Sequence, residues 1–348
     1  MSAVSPPGRA RNPIRDAQHE GVPDSAPRVR IVSPSPSAAN NGNWHTAARW
    51  RDFLAPLATV NLTDSLAADD ASDLLIALHA RRAAAAIAGA RMRRPGLPIV
   101  VVLTGTDLYR DLDLDAAARH SLECASRIVV LQEAALTRLD SASRAKAQVI
   151  VQSAPALRAI HAAGDAELVA VGHLRDEKDP DTLMRAARLL AADAAPPSIA
   201  HIGAALDPRL GELARATMAD CPAYRWLGAL PHRAARHAIA SALALVHMSR
   251  IEGGANVVVE AVRSAVPVLA SRIDGNVGLL GNDYDGCFAP GDAVALAALV
   301  RRFRADAVFA QHLWAQCAAR EPLFRPAAER RAVRGLVAEL LATRSSGR

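Results

Sequence analysis

Ser249-Arg-Ile-Glu252-Gly-Gly-Ala-Asn-Val-Val-Val-Glu260-Ala-Val-Arg-Ser-Ala-Val-Pro267-Val follows, one residue on, the apolar run Ala242–His247. An apolar strand, a polar turn with two glycines and an apolar stretch of helical length make one βα unit. Such a unit leaves free backbone N–H groups and the positive end of a helix at the carboxyl edge of a sheet, where a phosphate is stabilised. The helix is expected over Asn256–Ala265, which puts Glu252 in the turn and Glu260 one turn or more inside the helix. Carboxylates there can accept hydrogen bonds from hydroxyls such as those of a ribose or a sugar. The plainer alternative is that Glu252 caps the helix and Glu260 faces water. Against it, Val257–Val259 and Ala261–Val262 surround Glu260 with apolar side chains, where an unpartnered carboxylate is costly.

Working outward, the same alternation fills the chain. Expected strands in the second half are Leu168–Val171, Ser198–Ile202, Tyr224–Leu227, Ala242–His247, Val268–Ala270 and Gly286–Phe288. Helical patterns over Asp181–Ala192, Arg209–Ala219, Arg233–Ser241, Asn256–Ala265 and Asp292–Ala305 separate them. Upstream, Val29–Val32, Leu57–Asn61, Leu74–Leu78, Ile99–Leu103, Ile128–Leu131 and Val149–Gln152 read as strands, with helices at Trp44–Leu54, Arg81–Arg91 and Ala116–Ala125. Repeated strand–helix alternation implies right-handed crossovers and parallel sheets. The fold class is therefore α/β, two doubly wound parallel-sheet Rossmann-like domains facing across a cleft, where ligands bind at the carboxyl ends of the strands. Residues 1–27, rich in Pro, Ser, Arg and Gly, are expected to be a disordered tail. Residues 28–162 form the first domain and 163–320 the second, with 321–348 a helix packing back across the hinge.

Composition narrows the function. The 348 residues suit two domains. With 51% hydrophobic residues and only 3% aromatic, the cores must be built from Leu, Val, Ile and Ala. The net charge is +6, but Arg is scattered beside Asp and Glu, and no basic stripe interleaved with aromatics marks a nucleic-acid site. No apolar run reaches the ~18 residues of a membrane span, and no apolar segment opens the chain as a secretory signal does. A cytoplasmic protein without membrane insertion is expected. The four cysteines, Cys124, Cys221, Cys287 and Cys317, form no CxxC pair and read as free thiols. Neither GxGxxG nor a Walker loop occurs, which removes the main support for a dehydrogenase or an ATPase. No HxxxH or HExxH pattern points to a metal. Asp111-Leu-Asp113-Leu-Asp115 reads as a solvated turn with acids at a helix N-terminus.

Glu-x7-Glu followed by a helix and Pro-Val resembles the signature of the family-four GT-B glycosyltransferases. Two further stretches agree in order and spacing: Val171-Gly-His-Leu-Arg-Asp-Glu-Lys178 and Leu227-Gly-Ala-Leu-Pro-His232. The resemblance covers about residues 28–320. It implies that Glu260 binds the ribose of a nucleotide, that Glu252 contacts the donor sugar, and that the segment with Lys178 holds the diphosphate. It also implies that the loop with Gly228 lies near the base. The family usually has Arg where this chain has His173, so Arg175 or His173 must take that place. The loop Asn40–Asn43 is poorer in glycine than the family's, and Thr104-Gly-Thr-Asp107 stands where the family often has His.

Three stretches, Asn40–Ala47, Leu103–Tyr109 and Val171–Pro180, are similar to a branch of that family, the selenosugar synthases of bacterial selenoneine biosynthesis. By that resemblance the donor is UDP-N-acetylglucosamine, a substrate rather than a cofactor, and the acceptor is selenophosphate. The expected catalytic residues are Lys178, Arg175, Glu252 and His45. The donor site is expected to comprise His173, Gly253, Gly254, Ala255, Asn256, Glu260 and Gly228. The acceptor site is expected to comprise Asn41, Gly42, Asn43, Thr104, Gly105, Thr106 and Asp107, with no metal. On the residues alone, several roles stay open. Gly42 is a ligand-approaching turn or an ordinary one, and His45 is a donor or proton carrier or a half-exposed structural residue. Asp107 caps its turn or binds a hydroxyl, and His173 holds its own domain or a phosphate.

Overall fold

A computed structural model describes residues 26–34, 42–158, 161–162 and 165–345. Most of the expected tail and the acceptor-loop residues Asn40 and Asn41 lie outside them. The first domain contains β1 (Arg28–Val32), α1 (Gly42–Leu54), β2 (Thr59–Thr63), β3 (Leu74–Leu78), α2 (Ala84–Arg93), β4 (Ile99–Val102), α3 (Ala116–Cys124), β5 (Arg127–Val130) and β6 (Ala147–Val149). All its strands are parallel, in the order β2-β1-β3-β4-β5-β6. Every residue of β3 (LLIAL) and β4 (IVVV) is buried, because helices cover both faces of a parallel sheet.

The second domain repeats the plan with β7 (Leu168–Val171), α4 (Pro180–Leu190), β8 (Ile199–Ile202), α5 (Pro208–Asp220), β9 (Tyr224–Trp226), α6 (His232–Ser241), β10 (Ala244–His247), α7 (Asn256–Arg263), β11 (Val268–Ser271), α8 (Asp274–Leu280), β12 (Cys287–Phe288), α9 (Ala293–Ala305) and α10 (Ala307–Arg320). Its parallel order is β12-β11-β10-β7-β8-β9. The chain reverses direction across the sheet between β10 and β7, a topological switch point, and opens a crevice beyond their carboxyl ends. The segment 249–256 emerges there.

Local chemistry sets the helix starts. The side chains of Asp115, Asp292 and Asp306 accept the N–H groups of Ala117, Ala295 and Phe309 at the starts of α3, α9 and α10, as helix caps do. Pro180 and Pro208 stand in the first turns of α4 and α5. Two readings need correction. β6 ends at Val149, short of Gln152, and the side chains of Gln152 and Ser153 instead bond Thr46 and Glu329. The aspartate series is not uniformly solvated either: Asp115 caps α3, but Asp111 is buried.

The last helix, α11 (Pro326–Ser345), joins the first domain's core: Val333, Leu336, Val337 and Leu340 pack with Trp50, Leu54, Leu74 and Ile76. Burying four such side chains contributes several kcal/mol, at ~1.5–3 kcal/mol for each fully buried large one. Glu329 of α11 is buried and accepts bonds from Arg49 Nε (2.7 Å), Trp50 Nε1 (2.8 Å) and Ser153 N (2.8 Å). A buried carboxylate is tolerated only with such a set of partners.

Candidate active site at the interdomain cleft

At the carboxyl edge of the second sheet, β10 ends at His247 and the chain turns through Ser249–Ala255 into α7. Glu252 is buried in that turn. Its Oε1 meets Lys178 Nζ, and His247 Nε2 lies 3.3 Å away. Burial pushes the Glu252 carboxyl up, but Lys178 and His247 outweigh it and hold it well below the usual carboxylate range. Lys178 ends a short turn, Asp176–Lys178, that follows β7. Glu260 sits one turn into α7, also buried, with Oε1 2.7 Å from His232 Nε2 and 3.9 Å from Arg236 Nε. Each carboxylate is thus matched to basic side chains rather than to backbone, so a ligand with hydroxyls or phosphates can exchange places with those partners.

The first domain presses directly on this turn. A Cβ on Gly253 would lie 2.5 Å from the Thr104 carbonyl carbon, and one on Gly105 2.9 Å from the Gly253 nitrogen. Gly254 has similarly close neighbours in Leu131 and Gln152. These glycines permit backbone-to-backbone contact between the domains. Gly105, at φ +143°, also has a conformation that side chains disfavour. The Gly253 amide, expected in the phosphate cradle, is instead covered by Gly105.

Around that contact, Asn256 Nδ2 reaches Gly42 O at 3.4 Å. His45 of α1 stacks on His232 of α6, with ring centroids 4.1 Å apart. Burial first, then the neighbouring His232 ring, pull His45 down to about 4. A ring so weakly basic is neutral at pH 7, which removes the cationic form but leaves one N–H to donate and one nitrogen to take a proton, and the stack on His232 also makes it a packing contact between the domains. Arg110 Nη1 bridges to Glu177 Oε1 at 2.8 Å, the first domain to the second. Together with Arg175 and Arg250 it lines a cavity of ≈ 410 Å³ at the mouth of the cleft. Arg175 Nε is buried there without a hydrogen-bond partner among the described residues, 3.9 Å from Glu177. A larger cavity, ≈ 1120 Å³, lies among Leu243, Pro267, Phe303 and Trp314, at the amino edge of the second sheet and away from both glutamates.

Other expected site residues are placed as follows. Ala255 is buried as the residue before α7, and Gly228 turns at φ +68° with its carbonyl accepting Gly203 N. His173 Nδ1 accepts Ala204 N at 3.1 Å, tying that ring to the loop after β8. Asn43 lies in the first turn of α1, and Thr106 Oγ1 is 3.0 Å from His79 Nε2. Asp107 is the clear correction. It is wholly buried, and its carboxylate accepts Ala80 N (3.0 Å), Thr104 N (2.9 Å) and Gly105 N (2.8 Å). With those lone pairs engaged, it holds the turn and does not serve an acceptor. His232, Arg236, His247 and His79 were not singled out as site residues from the sequence. His247 ends the apolar strand β10 and His79 directly follows β3, and that position at a strand's carboxyl end was the available signal.

Residues 165–306, nearly the whole second domain, match the model of a family described as "Glycosyl transferases group 1". None of the curated proteins compared matches the chain in sequence. The whole chain is similar in structure to several solved proteins. The HepE protein of Anabaena, in complex with UDP and glucose, has a TM-score of 0.71 at 14% identity over 90% of this chain and 99% of its own. Sucrose-phosphate synthase of Thermosynechococcus elongatus has a TM-score of 0.72 at 16% identity over 91% and 100%. A UDP-forming trehalose-phosphate synthase of Burkholderia xenovorans has 0.60 at 13% identity over 79% and 74%. The fold is GT-B, with six parallel strands in each domain, and the second domain carries the sequence pattern of the group 1 glycosyltransferases.

Proposed function

We propose that the protein is a glycosyltransferase that moves N-acetylglucosamine from its UDP donor to selenophosphate, giving a selenosugar and UDP. The observation that carries the transferase reading is the pair of buried carboxylates, Glu252 and Glu260, each held by basic side chains at the carboxyl edge of a GT-B sheet. In this reading Glu260 gives up His232 to take the ribose hydroxyls, and Glu252 takes a hydroxyl of the sugar. Lys178, released from Glu252, and Arg175 face the diphosphate. The acceptor's selenium attacks the anomeric carbon, the carbon–oxygen bond to the β-phosphate breaks, and that electron pair stays on UDP. Cations placed where this charge develops lower the barrier. A soft, strongly nucleophilic acceptor needs little help from a general base, which agrees with a cleft where the Asp107 carboxylate is engaged by three backbone N–H groups.

Binding of UDP is supported by HepE, solved with UDP, with UDP and glucose, and with UDP-glucose. The choice of acceptor and of N-acetylglucosamine rests on the similarity of the stretches 40–47, 103–109 and 171–180 to the selenosugar synthases. Incubating the purified protein with UDP-N-acetylglucosamine and, separately, selenophosphate, thiophosphate and simple sugars tests it. Release of UDP with selenophosphate alone, and more slowly with thiophosphate, is the expected result. Transfer to a sugar hydroxyl with none to selenophosphate would overturn the acceptor. EDTA is expected to leave the rate unchanged, because Lys178 and Arg175 supply the charge a metal would supply. A rate lost to EDTA and restored by a divalent cation would reverse that.

A further inference from the structure

The carboxyl edge of the first sheet holds a cluster that the donor chemistry does not use. His79 directly follows β3 at φ +74°, in the left-handed region, where a residue with a Cβ stays only if its surroundings enforce it. Beyond β4, Asp107–Asp111 form a π-helical turn, a rare conformation found mostly at functional segments. The two irregularities meet at the buried ring of His79. Its Nε2 lies 3.0 Å from Thr106 Oγ1 and 3.9 Å from Asp111 Oδ2, and its Nδ1 lies 3.9 Å from Asp107 Oδ2. Asp111 Oδ2 is itself buried without a hydrogen-bond partner among the described residues.

The ring's contacts decide its tautomer. Arg82 N donates to Nδ1 at 3.3 Å, so Nδ1 is an acceptor and carries no hydrogen in the neutral ring. Burial lowers the His79 pKa overall, against the pull of Asp107 and Asp111, which favours the neutral ring. The hydrogen is then on Nε2, facing Thr106 Oγ1 and the Asp111 carboxylate. Because Nε2–H donates to Thr106, the Thr106 oxygen acts as acceptor on that side, and its own hydroxyl hydrogen is left for a third group. Thr106 is half-buried and stands next to Gly105, the residue that abuts Gly253 in the cleft. A half-exposed hydroxyl at that position, with its hydrogen unclaimed by His79, can donate to a group that enters the cleft.

We infer that His79 is a positioning residue for the acceptor: it fixes the Thr106 hydroxyl as a donor to an anionic oxygen in the cleft. This rests on the proposed reading of a small anionic acceptor.

The test uses the full chain loaded with UDP, with thiophosphate as the probe in calorimetry. T106V and H79L each weaken thiophosphate by roughly tenfold, the effect of one hydrogen bond to a charged group, while UDP affinity stays at the wild-type value. H79Q, which keeps an N–H near the place of Nε2, recovers most of the loss. The double variant binds no worse than T106V alone, since both changes remove one chain of bonds. Nitrogen NMR of histidine-labelled protein finds Nε2 of His79 protonated and Nδ1 bare, and T106V moves the Nε2 signal. Independent, additive losses in the double variant would overturn the inference, as would unchanged binding in folded T106V or a ring protonated on Nδ1. If the wild type binds UDP but ignores thiophosphate while the NMR signature is intact, the anionic acceptor has failed and takes the inference with it.

Discussion

Two turns face each other across the cleft, and both carry buried acids. Ser249–Ala255 follows β10 and brings Glu252, with Glu260 just beyond it in α7; Thr104–Asp107 follows β4 and brings Asp107. The difference is in their partners. Glu252 and Glu260 are held by the side chains of Lys178, His247, His232 and Arg236, of which Lys178 and His232 are exposed enough to swing out. Asp107 is held by three backbone N–H groups, which cannot leave without unfolding the turn. A buried acid with side-chain partners is available to a ligand, and one with backbone partners is part of the scaffold. Burial alone does not separate the two.

The largest effect expected from this contrast is on stability. Asp107→Ala leaves three N–H groups, most of them buried, without an acceptor, a cost on the order of 3–5 kcal/mol. Urea unfolding measures it, and a stable Asp107→Ala protein that had lost only transfer would break the comparison. Glu252→Gln is the counterpart. It should lower the unfolding midpoint less than Asp107→Ala does, because the amide keeps a hydrogen-bond acceptor and Lys178 is partly exposed and can return to water, yet lower kcat/KM by roughly 10²-fold, as removing one well-placed catalytic hydrogen bond does. A Glu252→Gln protein that unfolds early at full specific activity would assign Glu252 to the scaffold with Asp107.

The sequence carried the donor side further than the acceptor side, for a physical reason. Glu252 and Glu260 lie in one continuous strand–turn–helix unit, so their depth follows from helical spacing and apolar neighbours. β3 and the alternating α/β plan were equally plain, since buried parallel strands are unbroken apolar runs. The acceptor side is assembled from separate strand ends. Nothing local says that His79 touches Thr106 or that Ala80 N closes onto Asp107, 27 residues apart in sequence. The π-helical turn at Asp107–Asp111 and the two-turn helix Asp274–Leu280, with Gly275 and Gly278 inside it, also have weak local signals. Those glycines answer to contacts from Glu252 and Gln132, which only the folded chain brings near.

Smaller effects sharpen the division within the donor side. Lys178→Ala should lower kcat more than it raises the donor KM, since charge on the leaving diphosphate grows toward the transition state. A pure KM effect would make Lys178 a ground-state anchor. Glu260→Ala should weaken UDP by roughly 1–3 kcal/mol, the worth of a hydrogen bond to a charged group, with the fold intact. Unchanged UDP affinity in calorimetry would remove Glu260 from the nucleotide site and leave its pairing with His232 as its whole role.

The smallest effect lies between the domains, where His45 stacks on His232. With the domains in contact, His45 is drawn from its ordinary 6.5 down to about 4, by burial first and then by His232 and Arg49, against the opposing pull of Glu260. When the domains part, the ring returns to water and to its ordinary pKa. The parted form therefore binds more protons between those two values, and acid favours it. The closed arrangement keeps this contribution above pH 6.5 and loses it progressively as the pH falls toward 4. Small-angle scattering of the ligand-free protein should show the radius of gyration rising over that range. His45→Phe keeps an aromatic face for the stack but cannot take up a proton, so its profile should be flatter over the same interval. Identical profiles in the two proteins would place the acid response in other groups and reduce the histidine stack to a contact of shape alone.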